Sequence, residues 1–363
     1  MFENILAQAK GNSASMPAKA SSEDLSNDKI RISIIGVGGG GCNTVNRMEK
    51  QGIKSARTIA VNTDNLHLQN IQAQKKVLIG RSITRGLGAG GFPEVAEKCV
   101  QASKADLKEI IGENELVFLT AGLGGGTGTG AAPTIAEIAK EQGAVVVSIV
   151  TTPFSLERAR LKKAEWGLER LAAVSDTVVV IDNNRLVSFA PNIPINDAFN
   201  LADAITTKAV RGITDTIMEP SLMNIDFADV KAIMEKGGIS LISMGESSGP
   251  DRVERLAKAT LEHPLLDVTY EGAKGALLHI EGGSGLTLGE VIEVSERITE
   301  KFDHNANVKI GSRLLPDKND TISATAIVTG LQSEQISRIM TSKQTAQEQQ
   351  RREVSTLENI NYM

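Results

Sequence analysis

The segment Phe118-Leu-Thr-Ala-Gly-Leu-Gly-Gly-Gly-Thr-Gly-Thr-Gly-Ala-Ala-Pro133 constrains this chain more than any other. An apolar run over 116–119 leads into it, and glycine stands at 122, 124, 125, 126, 128 and 130. Residues 131–140 then read as a helix with Pro133 in its first turn. A strand, a loop nearly free of side chains and a helix N-terminus together make an anion site. The glycines let backbone N–H groups close on a phosphate, and the helix dipole adds partial positive charge. Thr127 and Thr129 supply hydroxyls without bulk. A long flexible turn is the alternative, but threonines set among glycines suit a shaped loop better than a linker.

The same arrangement occurs twice upstream. From Ile30 to Met48 the chain reads as a strand, a glycine loop and a helix start; Gly36, Gly38 and Gly41 satisfy G-x-G-x-x-G, a pattern that many phosphate-binding βαβ units share. Gly39, Gly40 and Cys42 fill the same loop, and Asn43, one turn into the helix, suits a phosphate or ribose contact or a cap. A second strand over 57–61 ends in Asn62-Thr-Asp64, where Asp64 is placed either to reach a nucleotide or its metal or to form a turn. A third strand over 76–79 feeds Thr84–Pro93, in which Gly86, Gly88, Gly90 and Gly91 permit close approach to a terminal phosphate. The apolar run 144–150 belongs in the middle of a parallel sheet. Ser155 or Thr152 is expected to cap the helix after it, and Glu157 and Arg160 stand where a sugar or phosphate is met beyond a strand's carboxyl end. A further strand, 176–181, runs into Asp182-Asn-Asn-Arg185. Three glycine loops after three parallel-type strands surround one phosphate chain at the edge of an open sheet. The chain has no G-x-x-x-x-G-K-[ST], so neutralisation falls to backbone N–H groups, a helix dipole and bound Mg²⁺.

The second half is built differently. A helix over 196–218, with Ala202, Ile205, Ala209 and Ile213 on one face, reads as a spine ended by Pro220. Asp226 and Asp229 stand three apart at the next helix start, which locally reads as a cap with a dipole-complementing carboxylate. Strands over 239–244, 275–281, 306–311 and 321–329, with helices over 251–262 and 287–301, form a smaller α/β or α+β domain without glycine cradles. The expected organisation is a leader (1–29), a nucleotide domain (30–195), the central helix (196–219), a C-terminal domain (220–330) and a mobile polar tail (331–363).

Of the 363 residues 41% are hydrophobic, enough for real cores, while a net charge of −5 and 3% aromatics argue against a nucleic-acid partner. Cys42, Cys99 and four scattered histidines show no ligand spacing and read as buried thiols and surface imidazoles. No apolar run approaches the ~20 residues of a membrane span, and the N-terminus lacks a signal-peptide pattern. A soluble, cytoplasmic protein is expected.

Five motifs together carry a resemblance. Gly36-Val-Gly-Gly-Gly-Gly-Cys-Asn43, Asn62-Thr-Asp64, Gly86-Leu-Gly-Ala-Gly90, Gly124-Gly-Gly-Thr-Gly-Thr-Gly130 and Asn224-Ile-Asp-Phe-Ala-Asp229 resemble FtsZ, the tubulin-like cell-division GTPases of bacteria and archaea, in family order over roughly 30–330. The resemblance implies a Rossmann-type parallel-sheet GTPase domain joined by a long central helix to a smaller α/β C-terminal domain. It implies GTP or GDP with Mg²⁺, the latter held mainly through phosphates and water, and head-to-tail polymerisation with further copies of the chain at a mid-cell ring. Gly38 to Asn43 with Gly126, Thr127 and Gly128 would hold phosphates; Glu157 would bond the ribose, and Asn183 and Asp203 the sugar and guanine. Asp226 and Asp229, with Asn224 beside them, would position or activate water in the pocket of the next subunit. The family's phosphate-contacting arginine falls near Arg160. Many bacterial members have asparagine where Cys42 stands, and Glu-Arg-Ala-Arg and the leader look archaeal. The tail is where membrane-anchor or division proteins are expected to bind; direct membrane insertion is not expected. Two other readings remain: a relative that binds GTP but hydrolyses it poorly, and a Rossmann oxidoreductase using Gly36–Gly41 and Asp64. The latter leaves two glycine loops unexplained and lacks a catalytic His, Cys or Lys–Tyr pair.

Overall fold

The computed structural model describes residues 30–331, except 186–191, 193, 219–222, 224, 236, 263–269, 316, 317 and 319. The leader and tail expectations lie outside these residues. Strand β1 (Ile32–Val37) is buried at every position, as a strand covered on both faces must be. It is flanked in parallel by β2 (Arg57–Asn62) and β4 (Leu116–Gly122), with β3 (Lys75–Leu78) outside β2 and with β5 (Val145–Thr152) and β6 (Thr177–Asp182) following β4. Parallel pairing puts all six carboxyl ends on one edge, so the three glycine loops gather there.

Helices cover this sheet: α1 (Gly38–Lys50), α2 (Asn65–Gln69), α3 (Arg81–Thr84), α4 (Pro93–Ala102), α5 (Lys104–Ile111), α6 (Thr127–Glu141) and α7 (Arg158–Val174). The core they enclose includes Ile35, Ile59, Leu119, Ile135 and Leu168. The 24-residue α8 (Ile195–Met218) follows, then α9 (Phe227–Met234). Strand β7 (Gly238–Ser248) touches β6 through only two residue pairs. It opens a second sheet region in which β7, β10 (Thr321–Thr329) and β8 (Gly275–Gly282) run antiparallel and β9 (Asn307–Leu314) lies parallel to β8. Helices α10 (Arg252–Leu261) and α11 (Leu288–Thr299) bury one face of it around Leu256, Leu278 and Val294, a core distinct from the first.

Three local expectations are corrected. Helix α6 starts at Thr127, not Ala131, so Pro133 is its seventh residue. The last glycines of the loop are already helical because they must be small: a Cβ on Gly130 would overlap the Pro93 carbonyl and one on Gly128 that of Gly122. Helix α7 is capped neither by Ser155 nor by Thr152; Glu157 is its N-cap, and the Ser155 hydroxyl donates instead to Asn184 Oδ1 at 2.7 Å. His279, expected at the surface, is buried on the face of β8 away from α10 and α11, beside Glu281.

Candidate functional site

A cavity of about 430 Å³ opens at the carboxyl edge of β1, β4, β5 and β6. The glycines around it divide into two kinds. A Cβ on Gly39 or Gly125 would meet nothing within 4 Å, so their bare backbone faces open space. Gly41 and Gly128 are small for the opposite reason, because a Cβ would strike the carbonyls of Thr120 and Gly122 behind them. Gly38 combines both demands, with φ at +71° and a would-be Cβ 2.7 Å from the Gly128 nitrogen. The first and third loops thus lie backbone to backbone, and the N-termini of α1 and α6 converge on one hollow. Two helix N-termini side by side favour an anion.

Opposite the glycines the walls are polar and partly desolvated. Asn183 is buried, and its Oδ1 has no hydrogen-bond partner among the described residues. Such an atom is costly unless a ligand satisfies it. Asp203 on α8 accepts from the Thr44 hydroxyl at 2.8 Å, and Arg47 Nε stands 3.7 Å from its other oxygen. Burial pushes the Asp203 carboxyl above the usual range, against the pull of Thr44 and Arg47. Glu157 accepts from the Phe154 N–H at 3.1 Å and pairs with Arg160, so the two expected sugar or phosphate contacts hold each other in the cavity wall.

Of the residues singled out from sequence, Gly39, Gly40, Asn43, Gly122, Gly125, Gly126, Thr127, Gly128, Thr152, Glu157, Arg160, Asn183 and Asp203 line the cavity. Several others do not. Thr129 is fully buried and its hydroxyl accepts from the Gly124 N–H at 2.8 Å, holding the loop's shape. Cys42 donates to the carbonyls of Gly36 and Val61, and burial pushes its thiol up to about 12. Asp64 caps α2 through the His67 N–H. Gly91 accepts from Lys163 at 2.7 Å, and the Gly90–Gly91 stretch lies against Gly126, whose Cβ would press on Ala89 and the Phe92 nitrogen. Sequence reasoning missed Thr44 and Thr151 in the lining and read Thr152 only as a cap. Only their place beside loop residues could have marked them.

The carboxylate pair is elsewhere. Asp226 is the N-cap of α9, its Oδ1 accepting from the Asp229 N–H at 2.7 Å, and Asp229 pairs with Lys309 of β9 at 2.8 Å. No residue of α9 lines the cavity. The helix ends at Met234, whose carbonyl accepts from Thr177 at 3.0 Å. Thr177 opens β6, while the cavity's Asn183 follows its last residue. Five strand steps, about 17 Å, separate those two edges. Asn224 lies outside the described residues.

Known proteins resemble this chain over most of its length. The family model described as "Tubulin/FtsZ family, GTPase domain" matches residues 31–191, and "FtsZ family, C-terminal domain" matches 238–332. The chain is 54% identical over 311 residues to "Cell division protein FtsZ 2" of Methanocaldococcus jannaschii, covering 85% of this chain and 82% of that one. It is 47% identical over 329 residues to the protein of the same description from Halobacterium salinarum, covering 91% and 83%. Among solved structures, "FtsZ dimer, empty (M. jannaschii)" superposes with a TM-score of 0.77 at 41% identity, over 91% of this chain and 92% of that one.

Proposed function

This chain belongs to the FtsZ family of tubulin-like GTPases, and from that premise we propose how its residues divide the work of a GTP-binding cytoskeletal cell-division protein. The nucleotide lies in the cavity at the carboxyl edge of the first sheet. Backbone N–H groups of the loops at Gly38–Gly41 and Gly124–Gly128 hold its phosphates, and Asn183 and Asp203 read the base. Among the described residues no three His, Cys, Asp or Glu side chains gather as a metal site. Mg²⁺ entering with the triphosphate would be held mainly through phosphates and water, and when bound it would supply charge neutralisation.

Hydrolysis needs a group that orients water in line with the terminal phosphate. Asp226 and Asp229 are that group, acting in the cavity of a second copy stacked head to tail. One observation carries this: α9 is tied to the amino edge of β6 while the cavity opens at its carboxyl edge. Exposed Leu66, Leu87, Phe92 and Leu156, on the segments following β2, β3 and β5, give the carboxyl edge the apolar surface that a second copy would cover. We propose further that partners binding the 331–363 tail recruit the chain to the division site; no helix among the described residues is long and apolar enough to cross a membrane.

Asp226→Asn separates capping from chemistry, because asparagine caps as well as aspartate. Both Asp226→Asn and Asp229→Asn are expected to bind GTP as the parent does and to form filaments, while phosphate release falls by about 100-fold or more. Unchanged phosphate release in both variants would remove the carboxylates from the mechanism.

A further inference from the structure

A chain of side-chain hydrogen bonds runs from the end of β2 through α2 to the cavity rim, and its direction is fixed by its partners. Asn62 Oδ1 accepts from the backbone N–H of Thr63 at 2.9 Å and of Asp64 at 3.3 Å. Those groups only donate, so the Asn62 amide has one orientation, with Nδ2 on the other side. Asn62 Nδ2 meets His67 Nδ1 at 3.2 Å. An amide nitrogen also only donates, which makes Nδ1 the accepting, unprotonated nitrogen of the ring. The proton of neutral His67 is then on Nε2, which donates to Asn43 Oδ1 at 3.1 Å. With that oxygen occupied, the Asn43 NH₂ group is the end left for the cavity that Asn43 lines.

We infer that His67 is a positioning residue for nucleotide binding: it holds the Asn43 amide with its donors, not its carbonyl, toward the phosphates. The inference rests on the nucleotide reading of the cavity and deepens it. Without this partner, Asn43 turns either end inward with similar ease, and its carbonyl oxygen repels a phosphate oxygen. His67 is itself held, since Asp64 Oδ1 accepts its backbone N–H at 3.0 Å.

The test is equilibrium binding of GDP to the full chain, kept dilute, for the wild type, His67→Ala and His67→Gln. Glutamine donates from its Nε2 to Asn43 and accepts at its Oε1. His67→Ala is expected to bind GDP about tenfold more weakly, the scale of one hydrogen bond to a charged group, and His67→Gln to bind like the wild type. Should His67→Ala not fold, His67→Phe, which fills the same place without a donor, takes its part and is expected to lose the same tenfold. A donor-less variant within about twofold of the wild type, or a His67→Gln that binds as weakly as the donor-less variant, would overturn the inference. A wild type that binds no GDP at all would instead sink the nucleotide reading on which it stands.

Discussion

At the scale of single residues, one strongly perturbed carboxyl outside the cavity is Glu281 on β8. His279, with its Nε2 3.7 Å away, and Lys318 at 3.3 Å hold its carboxyl down to about 2. The folded value lies below the unfolded one of about 4.3, so the stabilisation is complete above about pH 5 and is lost as pH falls through 2. Glu281→Gln is therefore expected to cost on the order of 2–3 kcal/mol near pH 7, read from urea unfolding. The gap from wild type should narrow below about pH 4.5. Residue identity was legible in the sequence where chemistry and spacing coincide. Asn183 and Asp203 were named through the family resemblance, and both line the cavity. Thr44 was not, because a threonine inside a helix start looks the same whether it faces solvent, a carboxylate or a ligand. His279 was misplaced for a related reason: an alternating strand pattern shows which residues share a face, not that both faces are covered.

At the scale of elements, strands and helices were legible because hydrophobic period and glycine punctuation agree along most of the chain. The second sheet region came out nearly element for element, from 239–244 against β7 (Gly238–Ser248) to 321–329 against β10. What sequence did not reveal was where glycine loops become helix. In α1 and α6 glycines occupy the first turns, where propensity argues against a helix, and at Gly38, Gly41, Gly128 and Gly130 neighbouring backbone leaves no room for a Cβ. This separates two substitutions within one element. Gly41→Ala puts a methyl into the Thr120 carbonyl of β4 and is expected to cost about 1–3 kcal/mol of stability in thermal or urea unfolding. Gly39→Ala meets nothing within 4 Å, so stability should stay within about 0.5 kcal/mol while its methyl, facing the cavity, weakens GDP binding. Equal losses of stability in the two variants would contradict this division of the glycines.

At the scale of the whole molecule, one structural fact organises the account. The parallel sheet sends every glycine loop to its carboxyl edge, and α9 is fastened at the amino edge by the Thr177–Met234 hydrogen bond. Neither Asp226 nor Asp229 lines the cavity of its own copy: the first caps α9 and the second pairs with Lys309. Local sequence supported only the cap, since Asp-x-x-Asp at a helix start is common and spacing alone says nothing about a second chain. The direct measurement is GTP turnover per subunit as total protein concentration is raised through the assembly range at fixed GTP and Mg²⁺. A shared site predicts almost no turnover at high dilution, a rise beyond a threshold concentration, and a plateau once most copies are stacked. Turnover per subunit that is the same at every concentration would mean that each copy hydrolyses GTP alone, and the central claim would be wrong.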